Sequence, residues 1–207
     1  MNRVVNFNFA ATGILGLGLL VWILVLYSRG IAIPFSKDAI WEIPTAIGYS
    51  TPIIVWFVKY GWKFRIFKGW LVLIPNLNGT WEGHLVSTWI NPETNKPRGK
   101  IKAFLVIKQN LLSCSCRLLT KESKSWSRSA AIQFAPDGDC QFLDFSYSNE
   151  PRVTVQNRSK AHHGACTLDI VIKPERKLVG KYWTDRETKG ELDLTFKSKE
   201  YRETFDA

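Results

Sequence analysis

The feature that most constrains this chain is a stretch without a charged residue near its amino terminus, residues 4–28. Its centre, residues 9–27, is densely apolar over 19 residues, and about 20 such residues span the ~30 Å of a bilayer's hydrocarbon core. Arg3 alone precedes it, the centre is longer than a signal-peptide core, and the residues after it form a poor cleavage site. The stretch predicts a retained transmembrane helix and excludes a disordered, collagen-like or purely soluble chain.

A second apolar segment covers residues 40–58, of which 43–58 are uncharged and Glu42 is the single charged residue. Its 19 residues approach the length of a membrane span. Pro44 falls in the first helical turn, where proline is tolerated, whereas Pro52 should kink the helix. We therefore predict two transmembrane helices, about 9–27 and 40–58.

Basic residues outside the spans predict the orientation, since short loops rich in Lys and Arg stay in the cytoplasm. Lys59, Lys63, Arg65 and Lys68 follow the second span, and the connection at 29–39 is poorer in cations. Both termini should be cytoplasmic, and residues 1–75 should form a two-pass membrane anchor. The basic run after the second span is interpreted as a topology signal and a lipid-headgroup contact rather than as a site for a DNA or RNA polymer.

Beyond residue 75 the apolar residues alternate with polar ones, as in half-buried strands, and no helical pattern interrupts them. The alternation predicts an all-β domain at 76–207, a small closed antiparallel barrel of eight strands, because closure removes exposed sheet edges. A two-sheet sandwich is the alternative. The eight predicted strands are 80–89, 100–109, 112–120, 124–134, 140–148, 163–172, 177–184 and 188–197.

An up-and-down barrel places the links 1–2, 3–4, 5–6 and 7–8 at one end, which we call the mouth; the opposite end is the floor. The longest links, 91–99 and 149–161, both fall at the mouth, and long loops are frequently functional. Alternation turns Trp81 inward at the floor, where its indole should fill the barrel. The fourth strand instead carries a row of serines, which predicts a polar interior face there.

Side chains at the mouth offer the chemistry that a nucleotide needs. Arginines make forked contacts with phosphate, aromatic rings stack on bases, and hydroxyl or amide groups bind base edges. Each residue also has a structural interpretation, such as a hairpin cap for Arg186 or a core ring for Tyr182. The candidate ligand-binding residues are Ser125, Ser127, Tyr147, Asn149, Arg158, His162, Tyr182, Thr184 and Arg186.

Five short motifs stand out in the barrel sequence. They are Gly79-Thr80-Trp81-Glu82-Gly83, Ser125-x-Ser127-x-Ser129-Ala130, Tyr147-x-Asn149-Glu150-Pro151, Arg158-Ser159 with His162-x-Gly164, and Tyr182-Trp183-Thr184-Asp185-Arg186-x-Thr188-x-Gly190. Together with the two predicted spans, these motifs resemble the two-transmembrane β-barrel effectors of CBASS anti-phage systems, and the resemblance covers the whole chain. It implies a barrel that binds a cyclic oligonucleotide made by a partner nucleotidyltransferase, with no cofactor. It also implies location in the bacterial inner membrane, self-association on activation and disruption of that membrane.

Other classes of function are less well supported by the sequence. Four cysteines without Cys-x-x-Cys spacing predict core residues rather than a zinc site, and no catalytic set is recognisable, so we predict that the chain is not an enzyme. Two alternatives remain. One is a lipocalin-like carrier of an apolar ligand, and the other is a structural membrane adaptor that presents exposed apolar residues such as Phe104 and Trp126 to a protein partner.

Overall fold

A computed structural model describes residues 4–31, 36–90, 95–135 and 140–206. The chain divides into two compact units. One contains Asn76–Gln109 and the chain from Ser113 onward, and the other contains the preceding chain up to Pro75 with Asn110–Leu112. Residues 136–139, in the link between the fourth and fifth predicted strands, and residues 91–94 of the predicted loop at 91–99 lie outside the described residues.

The amino-terminal unit is helical. The first helix has 22 residues and exposes large apolar side chains along its length, including Leu15 and Leu24. Ser36 caps the second helix by accepting a hydrogen bond from the Ala39 amide. Two single turns of 3₁₀ helix follow at Gly61–Lys63 and Arg65–Phe67. The helices are α1 (Phe7–Ser28), α2 (Lys37–Trp41) and α3 (Ile43–Lys59).

The predicted second span is not one helix, because residues 40–58 are divided between α2 and α3 at Glu42. That carboxylate is buried and forms an ion pair with Arg29, at the end of α1. The 17 residues of α3 give a length of about 26 Å at 1.5 Å per residue, short of ~30 Å of hydrocarbon. Among the described residues, α1 is the one helix long and apolar enough to cross a membrane, so a second span is not confirmed.

The second unit is a closed antiparallel barrel in which each strand pairs with the next and the last pairs with the first. This confirms the predicted fold and strand order. The fifth strand continues three residues beyond its predicted end, and the first ends two residues early. The strands are β1 (Gly79–Ser87), β2 (Ile101–Gln109), β3 (Cys114–Thr120), β4 (Ser123–Phe134), β5 (Gln141–Pro151), β6 (His162–Val171), β7 (Lys177–Thr184) and β8 (Lys189–Ser198).

The floor of the barrel is filled by an aromatic plug, as the alternation predicts. Trp81 is fully buried, its Nε1 donates to the Leu77 carbonyl at 3.0 Å, and its ring meets Phe196 edge to face at 5.3 Å. The Arg176 guanidinium covers Phe196 at 4.0 Å and donates to the Asn76 carbonyl at 2.7 Å. Indole and guanidinium groups therefore close this end with their polar atoms satisfied.

The chain after β8 packs on the outer wall of the barrel. Phe205 packs against Phe104, and the Arg202 guanidinium lies 3.9 Å from the centre of the Phe104 ring. Phe104 is therefore buried, and its predicted exposure was wrong because alternation does not reveal a segment that covers an outward position. Trp126, the other predicted surface residue, is 42% exposed.

Candidate functional site at the barrel mouth

A cavity of about 410 Å³ opens inside the barrel at the mouth, within the usual size range of ligand sites of about 300–1,000 Å³. All four links at the mouth contribute to its wall, through Arg98, Glu122, Arg158 and Arg186. Eight of the nine predicted residues meet there. They are Ser125, Tyr147, Asn149, Arg158, His162, Tyr182, Thr184 and Arg186.

Ser127 is the exception, because it does not line the cavity. The ladder between β3 and β4 stops at the pair Arg117–Trp126, and β4 is irregular between Ser127 and Ser129. The Ser127 hydroxyl accepts a hydrogen bond from the Cys116 amide at 2.9 Å, in place of a ladder bond. The serine row therefore follows the cavity wall no further than Ser125.

Two tyrosines in the wall each lie across from a glycine on the neighbouring strand. Tyr147 pairs with Gly164 between β5 and β6, and Tyr182 pairs with Gly190 between β7 and β8. A methyl group on either glycine would come within 2.6 Å of the phenol oxygen of its tyrosine. The glycines therefore provide the space in which the two rings lie along the wall, as in cross-strand aromatic–glycine pairs.

Hydroxyl and amide groups occupy the wall between the tyrosines and the mouth. The Asn149 amide donates to the Ser125 hydroxyl at 2.8 Å and to the Ser123 hydroxyl at 3.0 Å. Asn149 is only 8% exposed. Its Oδ1 is buried and has no hydrogen-bond partner among the described residues. On β7, the Thr184 and Thr188 hydroxyls lie 2.7 Å apart. The wall thus contains an acceptor without a donor.

The mouth is strongly cationic. Arg158 donates to Glu122 at 2.6 Å, and Arg98 donates to the other oxygen of the same carboxylate. Arg186 donates to the Lys160 carbonyl at 3.3 Å and forms no ion pair with a described carboxylate. The charged residues of the described wall are Arg98, Lys100, Lys102, Lys121, Glu122, Arg158 and Arg186, six cations and one anion.

The protonation of the wall follows from burial and charge. Burial raises the pKa of Tyr147 and Tyr182, so both phenols keep their protons at neutral pH. Burial, with the nearby charge of Arg186, lowers the pKa of His162, whose Nδ1 donates to the Lys160 carbonyl at 3.2 Å. Burial acts to raise the pKa of Glu122, but hydrogen bonds from Arg98 and Arg158 outweigh it and lower the value.

The cysteines lie in different environments. Cys116 and Cys166 are buried, as predicted for small core residues, and burial raises the pKa of Cys166. Cys140 is exposed, which corrects the prediction that all four point inward. Across the described ranges, no group of three or more His, Cys, Asp or Glu side chains is arranged to hold a metal ion.

The structure adds wall residues that the sequence analysis missed. Arg98 and Glu122 lie in mouth links, so the rule that placed Arg158 at the mouth also reaches them. Trp89 lines the cavity from beyond the end of β1. Phe205 comes from the segment after β8, and no alternation or turn signal predicts its place.

Comparison with known proteins addresses the same region. Residues 72–196, more than half of the chain, match the family described as Cap15, cyclic dinucleotide receptor domain. CD-NTase-associated protein 15 of Staphylococcus schleiferi is 27% identical over 152 residues, which cover 73% of this chain and 77% of that protein. These findings confirm the resemblance to CBASS effectors. The barrel that carries the mouth cavity lies almost entirely within the matched residues, and the chain belongs to the Cap15 cyclic dinucleotide receptor family.

Proposed function

We propose that this chain is a membrane-anchored receptor of bacterial anti-phage defence, which binds a cyclic dinucleotide in the mouth cavity of its barrel. The supporting observation is the cavity wall itself, which combines arginines, tyrosine rings and hydroxyl groups within the family-matched residues. A partner nucleotidyltransferase supplies the ligand during infection. The receptor carries out no reaction and needs no cofactor.

The phosphates of the ligand bind the arginines. A cyclic dinucleotide carries two phosphodiesters, each with one negative charge and two unbridged oxygens, and the guanidinium fork matches that geometry. Arg186 is free of ion pairs with described carboxylates, and Arg158 reaches the cavity from the neighbouring link, between β5 and β6. The excess of cations over the one described anion in the wall favours a doubly charged ligand.

The bases bind the tyrosine side of the wall. Tyr147 and Tyr182 offer ring faces for stacking, and the neighbouring glycines leave their rings flat against the strands. The Asn149 Oδ1, which lacks a donor among the described residues, accepts from an amino or imino group of a base edge. The Thr184 hydroxyl lies in the same wall, where it pairs with the Thr188 hydroxyl.

The two alternative functions fit the cavity less well. A lipocalin-like carrier of an apolar ligand requires a wall without charges, whereas six cations line this one. A structural adaptor requires an exposed apolar surface, and Phe104, one of its two predicted residues, is buried under Phe205. A cationic, aromatic cavity is better suited to a nucleotide.

Thermal stabilisation of the purified full chain in detergent by added ligands tests this function. Cyclic dinucleotides should raise its melting temperature in a dose-dependent manner, whereas the matching linear dinucleotide should act weakly and a fatty acid should have no effect. Stabilisation by the fatty acid with no response to any cyclic dinucleotide would refute the receptor and support the carrier. No response to either class would leave the adaptor as the better function.

We further propose that the amino-terminal unit is a two-pass anchor with both termini in the cytoplasm, and that ligand binding drives self-association and membrane disruption. In this arrangement α1 spans the bilayer, and the shorter α3 crosses in contact with α1. Gly16 lies exposed on α1 with no atom within 4 Å of the place a methyl group would take, which leaves room for a helix of a second subunit. Ala46 and Ser50 are buried and pack within one subunit.

Leakage of dye from vesicles tests the proposed action. Cyclic dinucleotide should release dye from vesicles that contain the full chain, and Gly16→Leu should reduce release several-fold without changing ligand affinity, because leucine fills the gap. Leu15→Ile, an exposed position that stays bulky, is the matched control. Full release from the Gly16 variant would refute the role of this surface, and a carboxy-terminal reporter active in the periplasm would refute the topology.

A further inference from the structure

Glu122 has an unusual position in the cavity wall. It lies in the two-residue link between β3 and β4, and its carboxylate bridges arginines from two other links. Arg98 comes from the link before β2 and binds one oxygen, and Arg158 comes from the link before β6 and binds the other. The Glu122 carbonyl also accepts from the Arg152 amide at 2.8 Å, which ties the link before β6 to the turn.

This arrangement of one anion between two guanidinium groups has the same charge and donor pattern as a bound phosphodiester. A phosphodiester carries one negative charge and two unbridged oxygens, and a carboxylate carries the same charge on two oxygens. The Glu122 side chain is 29% exposed, so a ligand entering from the mouth can reach its place. Among the described wall residues no other carboxylate is present.

We propose that Arg98 and Arg158 form a two-arginine clamp for one phosphodiester of the ligand, and that Glu122 occupies this clamp until the ligand displaces it. The inference rests on the proposed function and adds Arg98 as a phosphate-binding residue and Glu122 as an internal competitor. The competitor holds both arginines in position in the free protein and lowers ligand affinity, because the one phosphate that enters the clamp must first displace Glu122 from two ion pairs.

Removing the charge of Glu122 should therefore strengthen binding. Glu122→Gln keeps a side-chain oxygen of similar size but binds guanidinium groups more weakly than a carboxylate does. Partly exposed ion pairs contribute little each, so we expect the dissociation constant to fall roughly three- to tenfold, where tenfold corresponds to about 1.4 kcal/mol. Arg98→Ala should raise the dissociation constant by about tenfold or more, since it removes a charge-assisted phosphate contact.

Glu82 provides a matched control on the outer wall. Its carboxylate also bridges two cations, Lys102 and Lys197, and its side chain is 28% exposed, close to the value for Glu122. Hydrogen bonds from both lysines lower the pKa of Glu82, as the arginines do for Glu122. Glu82 itself does not line the cavity and only its partner Lys102 reaches the wall, so Glu82→Gln should change ligand affinity by less than about twofold.

The experiment is calorimetric titration of the full chain in detergent with a cyclic dinucleotide that stabilises the wild type. The proposal is supported if Glu122→Gln tightens binding, Arg98→Ala weakens it and Glu82→Gln does neither. Weaker binding by Glu122→Gln would refute the role of Glu122 as a competitor and show that it orients the arginines for the ligand. Wild-type affinity in Arg98→Ala would refute the role of Arg98 in the clamp. If no cyclic dinucleotide binds the wild type, the proposed function itself fails and the clamp with it.

Discussion

The floor and the mouth of the barrel are built from the same strands and the same alternation, yet they differ in what the inward positions carry. On β7, Leu178 is fully buried near the floor, and Tyr182 and Thr184 follow on the same face toward the mouth. On β5, Leu143 is likewise succeeded by Tyr147 and Asn149. A closed barrel of eight strands has room for about one layer of packed side chains or one small ligand. This chain divides that interior, with an apolar core at one end and a polar cavity at the other.

The largest expected effect is a loss of stability from a substitution at the floor. Trp81→Ala removes a fully buried indole and its hydrogen bond to Leu77, and should lower the free energy of unfolding by about 3–5 kcal/mol. Denaturant unfolding of the full chain in detergent, followed by circular dichroism, measures this change. Trp126→Ala on the exposed outer wall should cost less than about 0.5 kcal/mol. Equal losses in the two variants would show that the indole at the floor is not the plug.

The next largest effect is a loss of ligand affinity from a substitution at the mouth, which leaves the floor intact. Arg186→Ala should weaken cyclic dinucleotide binding by about 1.5–3 kcal/mol, the scale of hydrogen bonds to charged groups, with little change in melting temperature. Arg128→Ala, at an exposed residue that does not line the cavity, is the control. Binding is measured by calorimetry. Wild-type affinity in the Arg186 variant would place the phosphate contacts elsewhere.

A smaller effect sharpens the role of the tyrosines. Tyr147→Ala should weaken ligand binding by about 1–3 kcal/mol through lost stacking, whereas Tyr147→Phe keeps the ring and should retain most of the affinity. Because Tyr147 is only 6% exposed, melting temperatures of both variants must accompany the binding curves. If Phe and Ala lose equal affinity, the hydroxyl rather than the ring face contacts the ligand.

The smallest effect concerns pH. Burial and Arg186 lower the pKa of His162, so the imidazole is neutral at pH 7 in the free chain, and a bound phosphate favours its protonated form. Ligand affinity should therefore rise by less than about tenfold between pH 7.5 and 5.5, since one pKa unit corresponds to about 1.36 kcal/mol. His162→Gln should remove the rise, and His84→Gln, which lies outside the cavity wall, should keep it.

Acidification should lower the stability of the ligand-free chain, although it raises ligand affinity. A histidine whose pKa is lowered on folding contributes stability above its unfolded pKa of about 6.5, and that contribution is lost as the pH falls through the folded pKa. The melting temperature without ligand should therefore fall slightly on acidification, and less so in His162→Gln. A rise on acidification in the free wild type would contradict the lowered pKa.

The comparison also explains how much the sequence could predict. Alternation specifies which residues face inward and turn chemistry specifies the links, so the eight strands and their order were predicted correctly. Eight of the nine candidate ligand-binding residues lie in the cavity wall, and their role in binding stays a prediction. Ser127 does not line the cavity because its hydroxyl binds the Cys116 amide where the β3–β4 ladder ends, which alternation alone does not reveal. Phe104 was placed wrongly because its cover comes from a segment about 100 residues later in the chain.

The helical unit was predicted less completely for a different reason. Hydropathy measures the length of an apolar segment but not where its helix begins, and in the segment 40–58 α2 and α3 are separated at Glu42, which pairs with Arg29. The link rule places Arg98 at the mouth but not in contact with Glu122, which Arg158, a predicted residue, also binds. Long-range pairing of single charges is therefore the information that the pattern of one sequence lacks.

The tyrosine–glycine pairs have a consequence for changing what the cavity accepts. Tyr147 fills the space above Gly164, so any larger residue at 164 would have to expel the ring, and loss of the ring would leave a bare strand. The same dependence joins Tyr182 to Gly190. The two members of a pair are 17 and 8 positions apart in sequence, respectively (164 − 147 and 190 − 182). A library intended to alter ligand choice should vary both members of a pair together. A single substitution at the glycine would clash with the ring, and a single substitution at the tyrosine would leave a gap beside the glycine.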